Sequence, residues 1–498
     1  MKKFFKWALL VSIFVMLLLI MRYSGAGDAT GVTKQTVAEI GDKVTLDTVA
    51  QTAAQTKIGL NYVWMLLCGC LIFFFQAGFA MVETGFTRAK NANHTMAMNL
   101  IVFLVGMIGF LAIGFAIMFG GVGNIAALGG TTGLTNELTI GGWGIAGYKG
   151  FLLAGVSYDV GICIYFFFQA VFMDTACTIP TGSMAERVKL TAIIANTIFI
   201  STLYYPLFGN WVWGGGWLAQ LGVNAGLGHG VVDFAGSSVV HAMGGAAALA
   251  GAIVIKPRIG KFKKNGKANV IPGHHIPMAV IGTIILFFGW FAFNAGSTLA
   301  GSDLRLGVVA VNTMIAGAVG GVVAMIYMWR KYGKPDTSMT CNGALAGLVA
   351  ITAPCAFVNP IAAIIIGAVA GLLVCVAVSI IENKFKIDDP VGASSVHLVN
   401  GLWGMIAVGL FADGTYGAGL NGVAGGVKGL LYGDPGQLIA QLIAVAVVLV
   451  FGIGSQLIFW KITDKLIGIR VKAEDEIDGL DIPEMGAYAY HDFDSKAK

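Results

Sequence analysis

Two histidines and two aspartates carry the clearest chemical signal in this chain. Asp233-Phe-Ala-Gly-Ser-Ser-Val-Val-His241 recurs as Asp389-Pro-Val-Gly-Ala-Ser-Ser-Val-His397, each with Asp eight residues before His. Gly236 and Gly392, Ser238 and Ser394, and a Val just before each imidazole keep the same places. Imidazole donates and accepts a proton and titrates near neutrality, so the chemistry on offer is proton handling. Each copy opens a long apolar segment, where an ionisable side chain is expensive and by default a functional-site hypothesis. A single such histidine can equally be a helix–helix hydrogen bonder. Two at repeat-equivalent places point to a duplicated scaffold with a polar path between its halves, in which at most one of the pair is charged at a time.

The acids read differently. At the start of an apolar segment a carboxylate accepts from the free N–H groups of a helix N-terminus, so capping is the main expectation for Asp233 and Asp389. Asp233 is also placed to hold neighbouring dipoles toward a cation. Glu83 and Asp174 are read as buried helix-packing hydrogen bonders.

Two aromatic runs flank the repeat, Phe166-Phe-Phe-Gln169-Ala-Val-Phe172-Met-Asp174 and Phe287-Phe-Gly-Trp-Phe291-Ala-Phe293-Asn-Ala-Gly-Ser297. Aromatics at helical spacing are usually core. Phe172, Trp213 and Ser297, however, all fall near the outer ends of their segments. An aromatic face with a hydroxyl acceptor holds a small cation without a carboxylate. Phe293, one turn deeper than Ser297, would close the passage beneath.

The elements that position these residues are membrane spans. The 498 residues are 57% hydrophobic and 11% charged, with mean hydropathy +0.80. A soluble domain carries about a quarter charged residues, so that class is excluded. The 71 glycines fit close backbone packing of membrane helices. A net charge of +5 reports orientation and implies no nucleic-acid partner. The seven cysteines show no C-x-x-C spacing and read as small buried hydrophobes. No metal site, cofactor or nucleophile constellation is expected, and so no enzyme.

Lys2, Lys3 and Lys6 precede an apolar core from Trp7 to Met21 and Ser24-Gly25-Ala26, the pattern of a secretory signal peptide over 1–26. Residues 27–57 are polar and predicted to lie outside the membrane on the periplasmic side. Eleven segments long enough to span follow within a transporter domain over 58–461: about 59–85, 95–121, 159–183, 190–209, 233–255, 275–298, 307–329, 339–358, 360–382, 391–412 and 437–460. Residues 462–498 form a tail. Loops after odd-numbered segments hold fifteen Lys and Arg, six of them between Lys256 and Lys267; the others hold Lys149, Arg305 and Lys428. The positive-inside rule therefore puts the N-terminus outside and the tail in the cytoplasm of an inner-membrane protein. Five spans followed by their repeat must be inverted, giving an all-α architecture of two inverted five-helix repeats, about 59–255 and 275–412, plus helix eleven at 437–460. Such architectures keep the working site near the midplane.

Several stretches then match a family in order and spacing. Gln76-Ala-Gly-Phe-Ala-Met-Val-Glu83-Thr-Gly, Ala185-Glu-Arg187, Asp233-Phe-Ala-Gly…His241, Phe293-Asn-Ala-Gly-Ser297, Gly343-Ala-Leu-Ala-Gly347, Asp388-Asp-Pro…His397 and Gly479-Leu-Asp…Met485-Gly…Ala489-Tyr resemble the ammonium transporter (Amt/Mep/Rh) family, of the bacterial Amt type. The resemblance runs from about Gly59 to Phe493. It implies an eleven-helix fold with pseudo-twofold symmetry in a homotrimer, one pore per subunit, carrying ammonium or ammonia, with methylammonium as analogue. It further implies that Phe172, Trp213 and Ser297 recruit ammonium above Asp233, that Phe172 and Phe293 form a gate, and that His241 and His397 are the twin histidines. A PII-type regulatory protein would dock on the basic loop and tail. Leu398 departs from the glycine common at that place, and the Trp213–Asp233 loop is longer than in compact members. An ammonium sensor or receptor and an Rh-like neutral gas channel are the rival readings; a membrane enzyme with haem or metal on the histidines is the remote one.

Overall fold

The computed structural model describes residues 45–490. The expected signal peptide and the first part of the 27–57 segment lie outside them. Ten helices among the described residues are long and apolar enough to cross a membrane. They are α1 Leu46–Phe86, α2 Ala89–Phe119, α3 Val160–Met184, α4 Leu190–Trp213, α5 Ser237–Ile255, α6 Ile276–Gly296, α7 Leu306–Tyr332, α9 Pro360–Asn383, α10 Ser394–Phe411 and α11 Pro435–Ile467, with the shorter apolar helix α8, Thr337–Ile351, between α7 and α9. A small antiparallel hairpin, β1 Glu137–Ile140 and β2 Trp143–Gly147, lies between α2 and α3.

Four boundaries differ from the sequence reading by six residues or more: α2 starts at Ala89 rather than 95, α11 runs to Ile467 rather than 460, and the start of α1 and the end of α8 account for the other two. The polar residues 46–57 are helical and continuous with α1, which starts at a capping box made by Thr45 and Thr48. The eighth segment, expected over 339–358, stays helical only to Ile351. Fifteen residues rise about 22 Å, short of a ~30 Å hydrocarbon core. Pro354 disfavours helix at Ala353, and the broken end is tied inward. Ser237 Oγ donates to Val349 O (2.7 Å) and accepts from Ala353 N (2.7 Å). Trp290 Nε1 donates to Thr352 Oγ1 at 2.8 Å.

The two copies of the motif share three cap bonds. Asp233 Oδ1 accepts from Gly236 N (2.8 Å) and Ser237 N (2.9 Å), and Oδ2 from Ser238 N (2.7 Å). Asp389 Oδ1 accepts from Gly392 N (3.0 Å) and Ala393 N (3.1 Å), and Oδ2 from Ser394 N (2.7 Å). The shared glycine is required, because φ is +116° at Gly236 and +80° at Gly392. Both helices then open with a π-helical turn, Ser237–Ala242 and Ser394–Val399, that contains the histidine; such turns concentrate at functional sites.

The two copies enter from opposite ends. Trp213, at the end of α4, donates its indole N–H to the Asp233 carbonyl at 2.6 Å. Arg187, just before the start of α4, donates Nη2 to the Asp388 carbonyl at 2.7 Å. The 24 residues of α4 separate those points by about 36 Å.

Candidate functional site

A cavity of about 750 Å³ opens at the Trp213 end of the bundle, lined among others by Gln169, Phe172, Trp213, His229, Ser297 and Asn421. The three residues expected to recruit a cation thus share one vestibule. Ser297 Oγ donates back to Phe293 O at 2.8 Å. That bond spends its only proton and leaves its lone pairs for a donor from the vestibule. Gly236 makes room for Trp213: a Cβ there would lie 3.2 Å from the indole Cη2 and 2.7 Å from Val240 Cγ2.

From the vestibule the aromatic rings run inward in sequence. Phe172 meets Trp213 edge-on at 6.0 Å and Phe293 at 4.1 Å, tilted by 31°. Both phenylalanines are essentially inaccessible, at 1% and 0% exposure, so the vestibule ends on them. Beneath them the His241 ring stacks 5.5 Å from Phe293. His241 Nδ1 lies 3.3 Å from His397 Nδ1. A contact between two Nδ1 atoms needs one proton between them, so one neutral ring donates through Nδ1 and its partner accepts there. His241 Nε2 is buried with no hydrogen-bond partner.

Asp233 takes no direct part in the vestibule wall. Its carboxylate accepts two further bonds, from Ser238 Oγ (2.7 Å) and Val239 N (3.0 Å), five in all, and the residue is fully buried. Capping consumes it, and it reaches the mouth only through the carbonyl that orients Trp213. Glu83 packs as expected, accepting from Asn99 Nδ2 and Thr181 Oγ1, each at 2.9 Å. Asp174 does not: its buried Oδ1 has no partner.

Two residues escaped the sequence reading. Phe75 of α1 stacks on Phe293 at 5.3 Å with 3° between planes, and Trp290 stacks on His241 at 5.0 Å. Trp290 sits in an aromatic run already noted. Phe75 was hidden within Phe73-Phe-Phe75, where only the fold tells which ring faces inward. Leu398 is accommodated against Gly245, whose missing side chain lets the Leu398 main chain approach.

At the other end, charge replaces aromaticity. Glu186 accepts from Arg88 N and Nε, each at 2.6 Å, and pairs with Arg258 at 3.2 Å. Arg258 also forks onto Asp388 at 2.8 and 2.9 Å. Burial alone would raise both acids, but the guanidinium groups of Arg258 and Arg88 hold Glu186 below the ordinary range, and those of Arg258 and Arg187 hold Asp388 well below it. Tail residues join this end, Arg470 bonding Ile255 O (2.9 Å) and Glu476 (2.9 Å). The basic loop is therefore not one exposed cluster. Arg258 and Lys261 are buried in ion pairs, while Lys256, Lys263, Lys264 and Lys267 face outward.

Fold and site together define a polytopic α-helical membrane protein with a buried column of aromatic and imidazole rings under a vestibule lined by no Lys, Arg, Asp or Glu. The chain belongs to the Ammonium Transporter Family, whose model matches residues 63–490. It is 47% identical over 440 residues to ammonium transporter Amt2 of Archaeoglobus fulgidus, covering 88% of this chain and 89% of that protein. Ammonium transporter 1 member 3 of Solanum lycopersicum is 34% identical over 460 residues, 88% of this chain and 94% of that one. Among solved structures, a protein named Sensor Amt Protein superposes with a TM-score of 0.75 at 35% identity, covering 86% of this chain and 99% of its own. Mep2 of Candida albicans superposes at 0.72 with 26% identity, covering 90% and 94%.

Proposed function

We propose that this protein moves ammonium across the cytoplasmic membrane. The observation that carries the reading is the unbroken order vestibule, Phe172–Phe293, His241–His397, in one buried column. An ammonium ion arriving in the vestibule meets the ring faces of Trp213 and Phe172 and the free lone pairs of Ser297, and no fixed positive charge. Passing the two phenylalanines as an ion would strip its water without replacement. Losing a proton removes that cost, and the small neutral molecule needs only a rotamer shift of the gate. The histidine pair, coupled through its shared Nδ1 proton, then relays the proton separately, so net transfer is that of a cation. Asp233 serves by capping α5 and holding Trp213.

The opposed entry of the two repeats supports a site at the midplane, with the vestibule outside and the charged end and tail in the cytoplasm. Four outward lysines of the basic loop and the bound tail offer a PII-type protein a surface there. Assembly as a homotrimer belongs to the same reading. Solid-supported-membrane currents on proteoliposomes test it: ammonium and methylammonium pulses should drive current in the wild type and none in His241→Leu/His397→Leu. An undiminished current in the folded double variant removes the relay.

A further inference from the structure

The hairpin beside the vestibule carries an acid that the transport reading leaves idle. Glu137, in β1, reaches across the end of α2 to α4, where its Oε2 accepts from Asn210 Nδ2 at 3.3 Å. It lies against Gly121, where a Cβ would collide with the carboxylate. Asn210 in turn shapes the mouth. Its carbonyl accepts from Gly214 N (3.0 Å) and Gly216 N (2.9 Å), closing the turn that follows Trp213, and its Nδ2 also donates to Met118 O (3.2 Å). The hairpin grips the same loop through Trp211 Nε1 to Ile145 O (2.9 Å), Trp217 N to Gly144 O (2.9 Å) and Gly144 N to Gln220 Oε1 (3.0 Å).

We propose that Glu137 is a positioning residue for the cation-recruiting mouth, holding the Trp213 turn through Asn210. The inference rests on the ammonium reading only for what the mouth recruits. Two buried oxygens of this cluster, Glu137 Oε1 and Asn210 Oδ1, have no donor. A proton on Glu137 supplies one, and Gly215 O borders the same pocket: a Cβ on Gly144 would sit 3.1 Å from Glu137 Oε1 and 3.3 Å from Gly215 O. The neutral acid therefore completes the cluster, whereas an ionised one leaves a half-buried charge beside two bare oxygens.

The surroundings favour the neutral form. Burial pushes the Glu137 carboxyl up to about 7, with the Asn210 bond opposing. The elements packed on it present Met118 O and Gly121 from α2, Asn210 from α4 and Gly144 from β2. The titratable groups nearest along them are Tyr148, whose hydroxyl accepts from Asn136, and Lys149, whose main chain abuts Gly120. Among the described residues no ion pair reaches Glu137. The sign follows: the grip is complete below neutrality and loosens as pH rises through the folded value.

Two measurements on the full-length protein test this. Methylammonium currents give the apparent KM between about pH 6 and about pH 8.5, bracketing the titration. Hydrogen exchange of segment 214–217, with wild type compared against Glu137→Gln at each pH, reports the turn without any transport. Wild-type KM should rise about fivefold across neutrality, the equivalent of one hydrogen bond of about 1 kcal/mol, with a matching loss of protection. Glu137→Gln, which keeps a donor and cannot ionise, should hold low KM and full protection throughout; Glu137→Ala should be weak at every pH. Identical pH profiles for wild type and Glu137→Gln in the exchange experiment overturn the inference. The expected exchange pattern in a protein that passes no ammonium current upholds it and removes the ammonium reading instead.

Discussion

Replacing Asp233 or Asp389 by Asn separates a helix cap from a cation ligand. Asp233 Oδ2 accepts from Ser238 N, Ser238 Oγ and Val239 N. In Asp233→Asn the amide nitrogen takes that place, and two backbone N–H groups face a donor; the hydroxyl can turn and accept. Two buried donors stripped of their acceptor cost about 1–3 kcal/mol each, so about 4 kcal/mol together. Asp389 Oδ2 accepts one backbone N–H, from Ser394, so Asp389→Asn loses about 2 kcal/mol by the same reasoning. Thermal unfolding midpoints in detergent should rank wild type above Asp389→Asn above Asp233→Asn. Transport by the folded fraction should show an altered apparent KM in Asp233→Asn alone, because the Asp233 carbonyl orients Trp213. A variant Asp233→Asn that melts like wild type yet transports nothing would refute the cap assignment and make the carboxylate a direct cation ligand.

Other perturbations probe the remaining parts. Phe75→Ala removes the ring stacked on Phe293; a loosened gate should raise leak of larger amines in liposome flux, while a buried Phe→Ala costs about 3–5 kcal/mol of stability. Arg258→Ala strands the carboxylates of Glu186 and Asp388 and should cost about 3–5 kcal/mol, visible as a large fall in melting midpoint. Asp388 is held well below the usual carboxylate range, so its contribution is present above about pH 4 and is lost as pH falls through the folded value; acid unfolding of wild type should flatten in Asp388→Asn.

Much of this was legible in the sequence, and for identifiable reasons. The Asp–Gly–His repeat encodes its local geometry within nine residues, so the capping role of its acids is readable from the sequence. Apolar runs locate the spans because hydrocarbon thickness sets their length, but helices outlast the apolar run where polar residues continue them: α1 begins at Leu46 rather than 59 and α11 ends at Ile467 rather than 460. What failed was non-local. Arg258 and Lys261 belong to the basic loop, yet partners 130 and 121 residues later in the chain, Asp388 and Glu382, bury them. Nor does spacing show that the Asp233 carboxylate already accepts five hydrogen bonds. The early end of α8 has a local signal, Ala353-Pro354, set within an apolar run.

The two halves share one Asp cap and differ in what donates to the main-chain carbonyls around it. At the vestibule end a neutral indole, Trp213, donates to the carbonyl of the capping Asp233; at the opposite end a guanidinium, Arg187, donates to the carbonyl of Asp388, the residue before the capping Asp389. An indole N–H pinned to a carbonyl leaves its electron-rich face free, which attracts a cation, whereas a guanidinium in the same place would repel one. The difference extends outward: no Lys, Arg, Asp or Glu lines the vestibule, while at the opposite end Arg88, Glu186, Arg187, Arg258 and Asp388 form one largely buried mesh. A near-symmetric scaffold thus acquires a direction from a few residues at its ends. The histidines, equivalent by repeat, inherit unequal surroundings, His241 under Phe293 and Trp290 and His397 beside Phe79. On the proposed mechanism, His241 is then the first imidazole that a molecule passing the gate from the vestibule would meet.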